Sequence, residues 1–355
     1  MIAVLLSLVL TAAPAFHTEL IFAPTPQLPM NHASSVLVLP DGEVLCAWYA
    51  GSREGARDVK IYLSRRGAAS GRWSVPTVIA DTPNRSEGNP VLYLDDQGTL
   101  WLYFVTIHGL NWAWAKIKVQ SSSDGGTTWS PARILGEPAP RRGGMTRSHL
   151  LRLSDGLLLL PLYDERRWRS LFLVSDNNGQ SWRRTGAIGT RPGNLQPSVV
   201  ERPDGSLLAL MRHHGQPGRI WKSVSADQGQ TWTPAELMDL PNPDAGIDLA
   251  QLPNGHLVLA FNNSSKRRTP LSVAISEDGG RTWPWIRDLE TAPGEYSYPS
   301  LAVSTDGAIH LTYTWKRESI KYARMNEEWI REGGQPRPGS AGSAARGKKV
   351  PKPAQ

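Results

Sequence analysis

Six times along the chain an apolar run is broken by a short polar turn and resumes as a second apolar run: SSVLVLPDGEVLCAW, PVLYLDDQGTLWLYF, HLLRLSDGLLLLPLY, PSVVERPDGSLLALM, DLAQLPNGHLVLAFN and PSLAVSTDGAIHLTY. The turn glycines, Gly42, Gly98, Gly156, Gly205, Gly255 and Gly307, follow one another at 49 to 58 residues. Asp-Gly or Asn-Gly between apolar runs predicts a hairpin, because those residues tolerate positive φ at little cost. Each hairpin is followed, 22 to 31 residues later, by a tryptophan: Trp73, Trp129, Trp182, Trp232, Trp283 and Trp329. Each is expected in a turn: four close a sharp S-x-D-x-G-x-x-W pattern, with Asp124, Asn177, Asp227 and Asp278 at the third position, and Trp73 and Trp329 close degenerate copies of it. There the carboxyl or amide binds the turn's own backbone, glycine takes the bend and tryptophan covers the edge of the sheet, so these acids are expected to be structural.

Units of about 50 residues, each reading as four short strands with no amphipathic helix between them, predict an all-β fold with radial repetition, a six-bladed β-propeller of four-stranded antiparallel blades. Mixed linker lengths and the missing capping pattern argue against a solenoid. One domain over residues 18–332 is expected.

Composition changes that picture only at the ends. The chain has 355 residues and a single cysteine, Cys46, which excludes a disulfide framework or a cysteine metal cluster. Of the net charge of +7, Arg337, Arg346, Lys348, Lys349 and Lys352 carry +5 in residues 333–355 without an acid, leaving +2 for the rest. That Gly-Pro-Ala-Lys stretch is expected to be a disordered basic tail, and the balanced body gives no nucleic-acid surface. At the start, MIAVLLSLVLTAAPAFH is an apolar run closed by Ala13-Pro14-Ala15. This predicts a signal peptide over residues 1–15 and a secreted or periplasmic protein, a buried first strand or a misplaced start being the other readings. No later segment reaches the length of a membrane span. A monomer is expected.

In a propeller, residues at one phase of the repeat converge on the axis. Nine residues before the turn glycines stand Ala33 (after His32), Asn89, Arg147, Gln196, Gly246 and Tyr298; seven after them stand Tyr49, Val105, Tyr163, Arg212, Asn262 and Thr314. Most are polar while the strand centres are apolar, so they predict a solvent-filled mouth over the axis.

The S-x-D-x-G-x-x-W turns resemble the Asp-boxes of bacterial neuraminidases, and over nearly its whole length the chain resembles a sialidase-type propeller. Sialidases grip the substrate carboxylate with three arginines, whose forked donors suit it. The resemblance assigns two of these to Arg212 and Arg268, a rim arginine to Arg53, the acid/base to Asp58 and the nucleophile to Tyr298. A phenol suits a sugar whose anomeric carbon already bears a carboxylate, since an anionic nucleophile would be repelled. The chain departs from the family twice. Asn31-His32-Ala33-Ser34 stands where the first arginine is expected, making His32 a candidate donor, and Gln196 stands where sialidases carry the glutamate of the tyrosine relay. An amide cannot take that proton, and Asp248 and Glu295 are the nearest carboxylates in phase.

Further rim candidates are Asn89 and Arg147, together with Trp112 and Trp114, which stack on a sugar or pack on a blade edge. Neither a cofactor nor a metal is expected; the adjacent His213 and His214 face opposite sides of a strand. The expected partner is an acidic sugar or glycan, and the expected reaction is retaining hydrolysis of a terminal nonulosonate-like sugar. A lyase acting on uronate polysaccharide and a non-catalytic glycan-binding propeller remain as alternatives.

Overall fold

A computed structural model describes residues 15–215 and 218–333. Most of the signal-peptide segment and of the basic tail lies outside the described residues. The chain forms six antiparallel sheets arranged as a six-bladed β-propeller. Blade one comprises Met30–Val38, Val44–Gly51, Lys60–Arg66 and Thr77–Ala80; blade two, Glu87–Leu94, Leu100–Ile107, Ala115–Ser122 and Arg133–Ile134. In blade three the innermost strand is interrupted, as Gly144–Met145 and Leu151–Arg152, before Leu158–Asp164, Arg169–Ser175 and Arg183–Arg184. Blade four is Asn194–Glu201, Leu207–His213, Arg219–Ser225 and Glu236–Pro241; blade five, Asp248–Gln251, Leu257–Asn262, Leu271–Ser276 and Trp285–Glu290.

Blade six closes the ring with both ends of the described chain. Tyr296–Val303, Ile309–Trp315 and Ser319–Met325 are completed by Phe16–Leu20, which pairs antiparallel with Ser319–Met325. Trp329 therefore closes no Asp-box. It lies in a short helix, Glu327–Gly333, and stacks on Phe16 with ring centroids 4.1 Å apart.

The continuous apolar runs of the sequence follow from this packing. Alternate side chains of a strand face opposite sides, and in a propeller both sides meet another blade. In Val44–Gly51, Leu45, Ala47 and Tyr49 pack with blade two, while Val44, Cys46, Trp48 and Ala50 pack with blade six. The six apolar clusters of the described residues each centre on a pair of neighbouring blades, with Leu195 of blade four and Tyr298 of blade six joining two of them from the axis.

The turn glycines hold φ between 78° and 91°, where a side chain would be strained. The four sharp boxes share one design. In the first, Asp124 accepts bonds from Ser122 Oγ (2.7 Å), Thr128 N (2.9 Å) and Thr128 Oγ1 (2.6 Å), while Gly126 N donates to Ser122 Oγ (2.6 Å). These donors hold the Asp124 carboxyl well below the usual carboxylate range.

Candidate active site

Four innermost strands carry the same irregularity. Their pairing register breaks between His32 and Ser35, Gly88 and Val91, Leu195 and Ser198, and Ser297 and Ser300. At each break sits a non-glycine residue with left-handed φ: Ala33 (51°), Asn89 (46°), Gln196 (53°) and Tyr298 (54°). A β-bulge bends a strand and re-aims a side chain, and left-handed non-glycine residues persist only where the surroundings hold them. These are four of the six residues counted nine before the turn glycine. A fifth, Gly246, leaves room: a Cβ there would meet Gln196 Oε1 at 3.2 Å and the Tyr298 ring at 3.5 Å.

Three of these bulges, at Asn89, Gln196 and Tyr298, open onto a cavity of about 210 Å³. Tyr298 stands in its wall, and its Oη accepts hydrogen bonds from Arg212 Nη1 (2.6 Å) and Gln196 Nε2 (3.4 Å). The guanidinium carbons of Arg147, Arg268 and Arg212 lie 5.2, 5.4 and 5.8 Å from the Tyr298 ring centre. Asn89 and Gln196 both donate toward Tyr163 Oη, at 3.2 and 3.5 Å.

Three arginines line this cavity, each held by carboxylates. Arg212 Nε donates to Asp244 (2.7 Å), and Arg268 Nη1 donates to Glu295 (2.8 Å). Arg317 donates through Nε to Glu295 (3.0 Å) and through Nη1 to Glu54 (2.6 Å). Burial alone would make Arg212 easier to deprotonate, but Tyr298 and Asp244 outweigh it; Glu295 and Glu54 do the same for Arg317, and both stay charged. Burial would raise Glu295, yet the Arg317 and Arg268 guanidinium groups hold it below its ordinary value. The fixed charges thus nearly cancel, so an anion would be held by aimed N–H donors more than by a net field.

The remaining sequence candidates fall into distinct places. Arg147 is 3% exposed and donates to the carbonyls of Pro299 (2.7 Å) and Ser34 (3.3 Å), buried against Tyr298 and outside the cavity wall. His32 is likewise buried, its ring centre 4.3 Å from that of Tyr298 and its Nδ1 2.9 Å from Thr314 Oγ1. Burial, then the charges of Arg317, Arg268, Arg147 and Arg212, push its pKa well down, so the ring is neutral. Asp248, fully buried, binds His149 Nε2 (2.5 Å), Ser198 Oγ (2.7 Å) and Leu301 N (2.7 Å), tying blades three to six together away from the cavity.

Trp112 lines the cavity. Trp114, two residues on, is 44% exposed beneath the Arg142 guanidinium. Arg53 and Asp58 are both exposed and outside the cavity wall. Asp58 accepts from Ser52 N (2.9 Å) and Ser52 Oγ (2.8 Å), which outweigh its slight burial and lower its pKa.

Glu54, Glu165, Asp244 and Arg317 were not singled out by the axial count. Glu165 lies in the turn just past the end of Leu158–Asp164, two residues beyond Tyr163, where strand alternation no longer fixes its direction. Arg317 sits beyond the end of Ile309–Trp315, at φ 60°, where no strand periodicity reaches.

This six-bladed fold is that of the sialidase/BNR-repeat propeller superfamily. Residues 42–311 match the BNR repeat-like domain, and the chain belongs to that family. It is 26% identical over 345 residues to a sialidase of Micromonospora viridifaciens, covering 85% of this chain and 52% of that enzyme. The chain spans about half the length, or less, of the curated relatives it matches. Among solved structures, the Hadza microbial sialidase Hz136 superposes with a TM-score of 0.75 at 17% identity, covering 86% of this chain and 67% of that one. The intramolecular trans-sialidase of Ruminococcus gnavus, solved with oseltamivir carboxylate, gives 0.71 at 17% identity, covering 88% and 98%. These two likenesses concern the fold.

Proposed function

We propose that the protein is an exported exo-glycosidase that removes a terminal acidic, nonulosonate-like sugar with retention of configuration. The observation that carries this reading is the phenol of Tyr298 in one cavity with Arg212, Arg268 and Arg317. A cavity of about 210 Å³ suits a single sugar unit better than an extended polysaccharide. The arginines orient the sugar's carboxylate, and Arg317, anchored by Glu295 and Glu54, supplies the third fork that His32 cannot.

Tyr298 Oη, aligned by Arg212 and Gln196, attacks the anomeric carbon. Gln196 is an amide and takes no proton, so the phenolic proton leaves to solvent and Arg212 stabilises the oxygen's charge until the bond to carbon forms. Trp112 and Asn89 bound the sugar on the blade-two side.

The test is a panel of fluorogenic sialosides, ketodeoxy-sugar glycosides and uronate polymers, with wild type and Tyr298→Phe. Release of the free sugar first as the substrate's own anomer, lost in Tyr298→Phe, is expected. An unsaturated product absorbing near 235 nm would indicate a lyase instead, and no turnover with retained glycan binding would indicate a binding propeller.

A further inference from the structure

Resting on the glycosidase reading, we propose that Glu165, and not Asp58, is the general acid/base of this site, protonating the leaving-group oxygen and later activating water. Glu165 follows Leu158–Asp164 of blade three, is half-buried, and lines the cavity that holds Tyr298. The other carboxylates around the arginines are engaged: Glu54 with Arg317, Asp244 with Arg212, and Glu295 with both Arg268 and Arg317. Glu165 makes no side-chain hydrogen bond or ion pair with any described residue, so its oxygens are left for a ligand. Asp58 is in the opposite situation, exposed and held to its own turn by Ser52.

The charges around Glu165 suit a proton donor. Burial pushes its pKa up to about 7; Arg212, from blade four, opposes the rise, while Asp244, the adjacent Asp164, and Glu54 from the blade-one loop add to it. His214 also lines the cavity, beside Asp244 at 3.6 Å, and Tyr163 faces it as a neutral phenol whose own pKa burial and Glu165 push up. A bound sugar carboxylate adds a further negative charge nearby, which favours protonated Glu165 in the complex.

The step balances. The Glu165 proton passes to the glycosidic oxygen as the bond to the anomeric carbon breaks, the electron pair staying on that oxygen, while Tyr298 Oη forms the new bond to carbon. The aglycone leaves as an alcohol. Glu165, now a carboxylate, then takes a proton from water as the water oxygen bonds to the anomeric carbon, and Tyr298 Oη departs with the bonding pair and recovers from solvent the proton it gave up before attack.

The experiment compares wild type, Glu165→Gln and Asp58→Asn on sialyllactose, whose leaving group is an alkyl alcohol, and on 4-methylumbelliferyl sialoside, whose leaving group needs little protonation. Glu165→Gln is expected to lose about 100-fold or more in kcat/KM on sialyllactose, but less than about tenfold on the aryl sialoside, as removal of a general acid does. It should also lose the pH-rate limb near 7 and keep the wild type's affinity for free N-acetylneuraminate, which shows that the cavity is intact. Asp58→Asn should stay within about threefold of wild type on both. Near-wild-type hydrolysis of sialyllactose by Glu165→Gln, or transfer of the leaving-group-dependent loss to Asp58→Asn, overturns the assignment. Absence of wild-type turnover of both the sialosides and the ketodeoxy-sugar glycosides overturns the glycosidase reading itself, and the acid role with it.

Discussion

Arg212 Nη1 lies 2.6 Å from Tyr298 Oη while its Nε is held by Asp244 at 2.7 Å. One guanidinium thus spans the carboxylate that orients it and the phenol it activates. Shortening Arg212 to lysine keeps the charge but cannot keep both bonds in one plane. Arg212→Lys is expected to lower kcat on a fluorogenic sialoside by about 10²-fold or more, the scale of removing one aimed donor. Circular dichroism should show an unchanged sheet signal.

Arg317 stands between Glu295 and Glu54 with Nη2 unengaged by any described residue. If it is the third arginine of the carboxylate grip, Arg317→Met should weaken binding of free N-acetylneuraminate by about 10- to 100-fold, the worth of a hydrogen bond to a charged group. Titration calorimetry measures this directly. His32→Asn, buried outside the cavity wall, should change that affinity far less than Arg317→Met.

Gly246 faces the axial side chains where any Cβ would meet Gln196 Oε1 at 3.2 Å and the Tyr298 ring at 3.5 Å. Gly246→Val should displace the tyrosine and reduce kcat/KM by about tenfold or more, since small misplacements of reacting groups are costly. Thermal stability is expected to fall by about 1–3 kcal/mol, as for overpacking elsewhere.

The boxes should behave in the opposite way. Asp278 accepts from Ser276 Oγ (2.9 Å), Arg281 N (3.0 Å), Thr282 N (2.8 Å) and Thr282 Oγ1 (2.6 Å), far along the blade from the cavity. Asp278→Ala removes these acceptors and should cost about 1–3 kcal/mol in urea unfolding. Substrate affinity and kcat should be unchanged.

Glu165 also leaves a pH signature on stability. Its folded pKa of about 7 exceeds the ordinary 4.5, so the folded state holds this proton more tightly than the unfolded chain. Its contribution is therefore fully present below pH 4.5 and is lost as pH rises from 4.5 through 7. A full shift of that size is worth about 3 kcal/mol, and solvent screening of a half-buried group reduces it to about 1 kcal/mol. Glu165→Gln should flatten the decline of the thermal midpoint between pH 5 and pH 8, measured by calorimetry.

The propeller was legible because each blade repeats its own turn chemistry. Asp-Gly hairpins and Ser-Asp-Gly-Trp boxes are local, and the blade interfaces show as continuous apolar runs. Counting nine residues before each turn glycine also found Asn89, Gln196 and Tyr298, since a conserved phase carries the bulge with it. What the count missed lies past the strand ends. Arg317 and Asp244 hold left-handed φ in loops, where no periodicity constrains direction. Trp329 was assigned to a turn by spacing alone, whereas its partner Phe16 comes from the other end of the chain, a contact no local pattern encodes. Asp58 fits the family spacing, but Ser52, six residues earlier, holds its carboxylate at the surface.

Phe16–Leu20 waits for Ser319–Met325, a partner synthesised about 300 residues later. Until then the outer edge of Ser319–Met325 does not exist and the first segment has no sheet to join. The ring can therefore close only when both segments have met, and the cavity walls shared by blades one and six depend on that closure. A chain truncated just before Ser319 should leave Phe16–Leu20 protease-sensitive and bind no sugar.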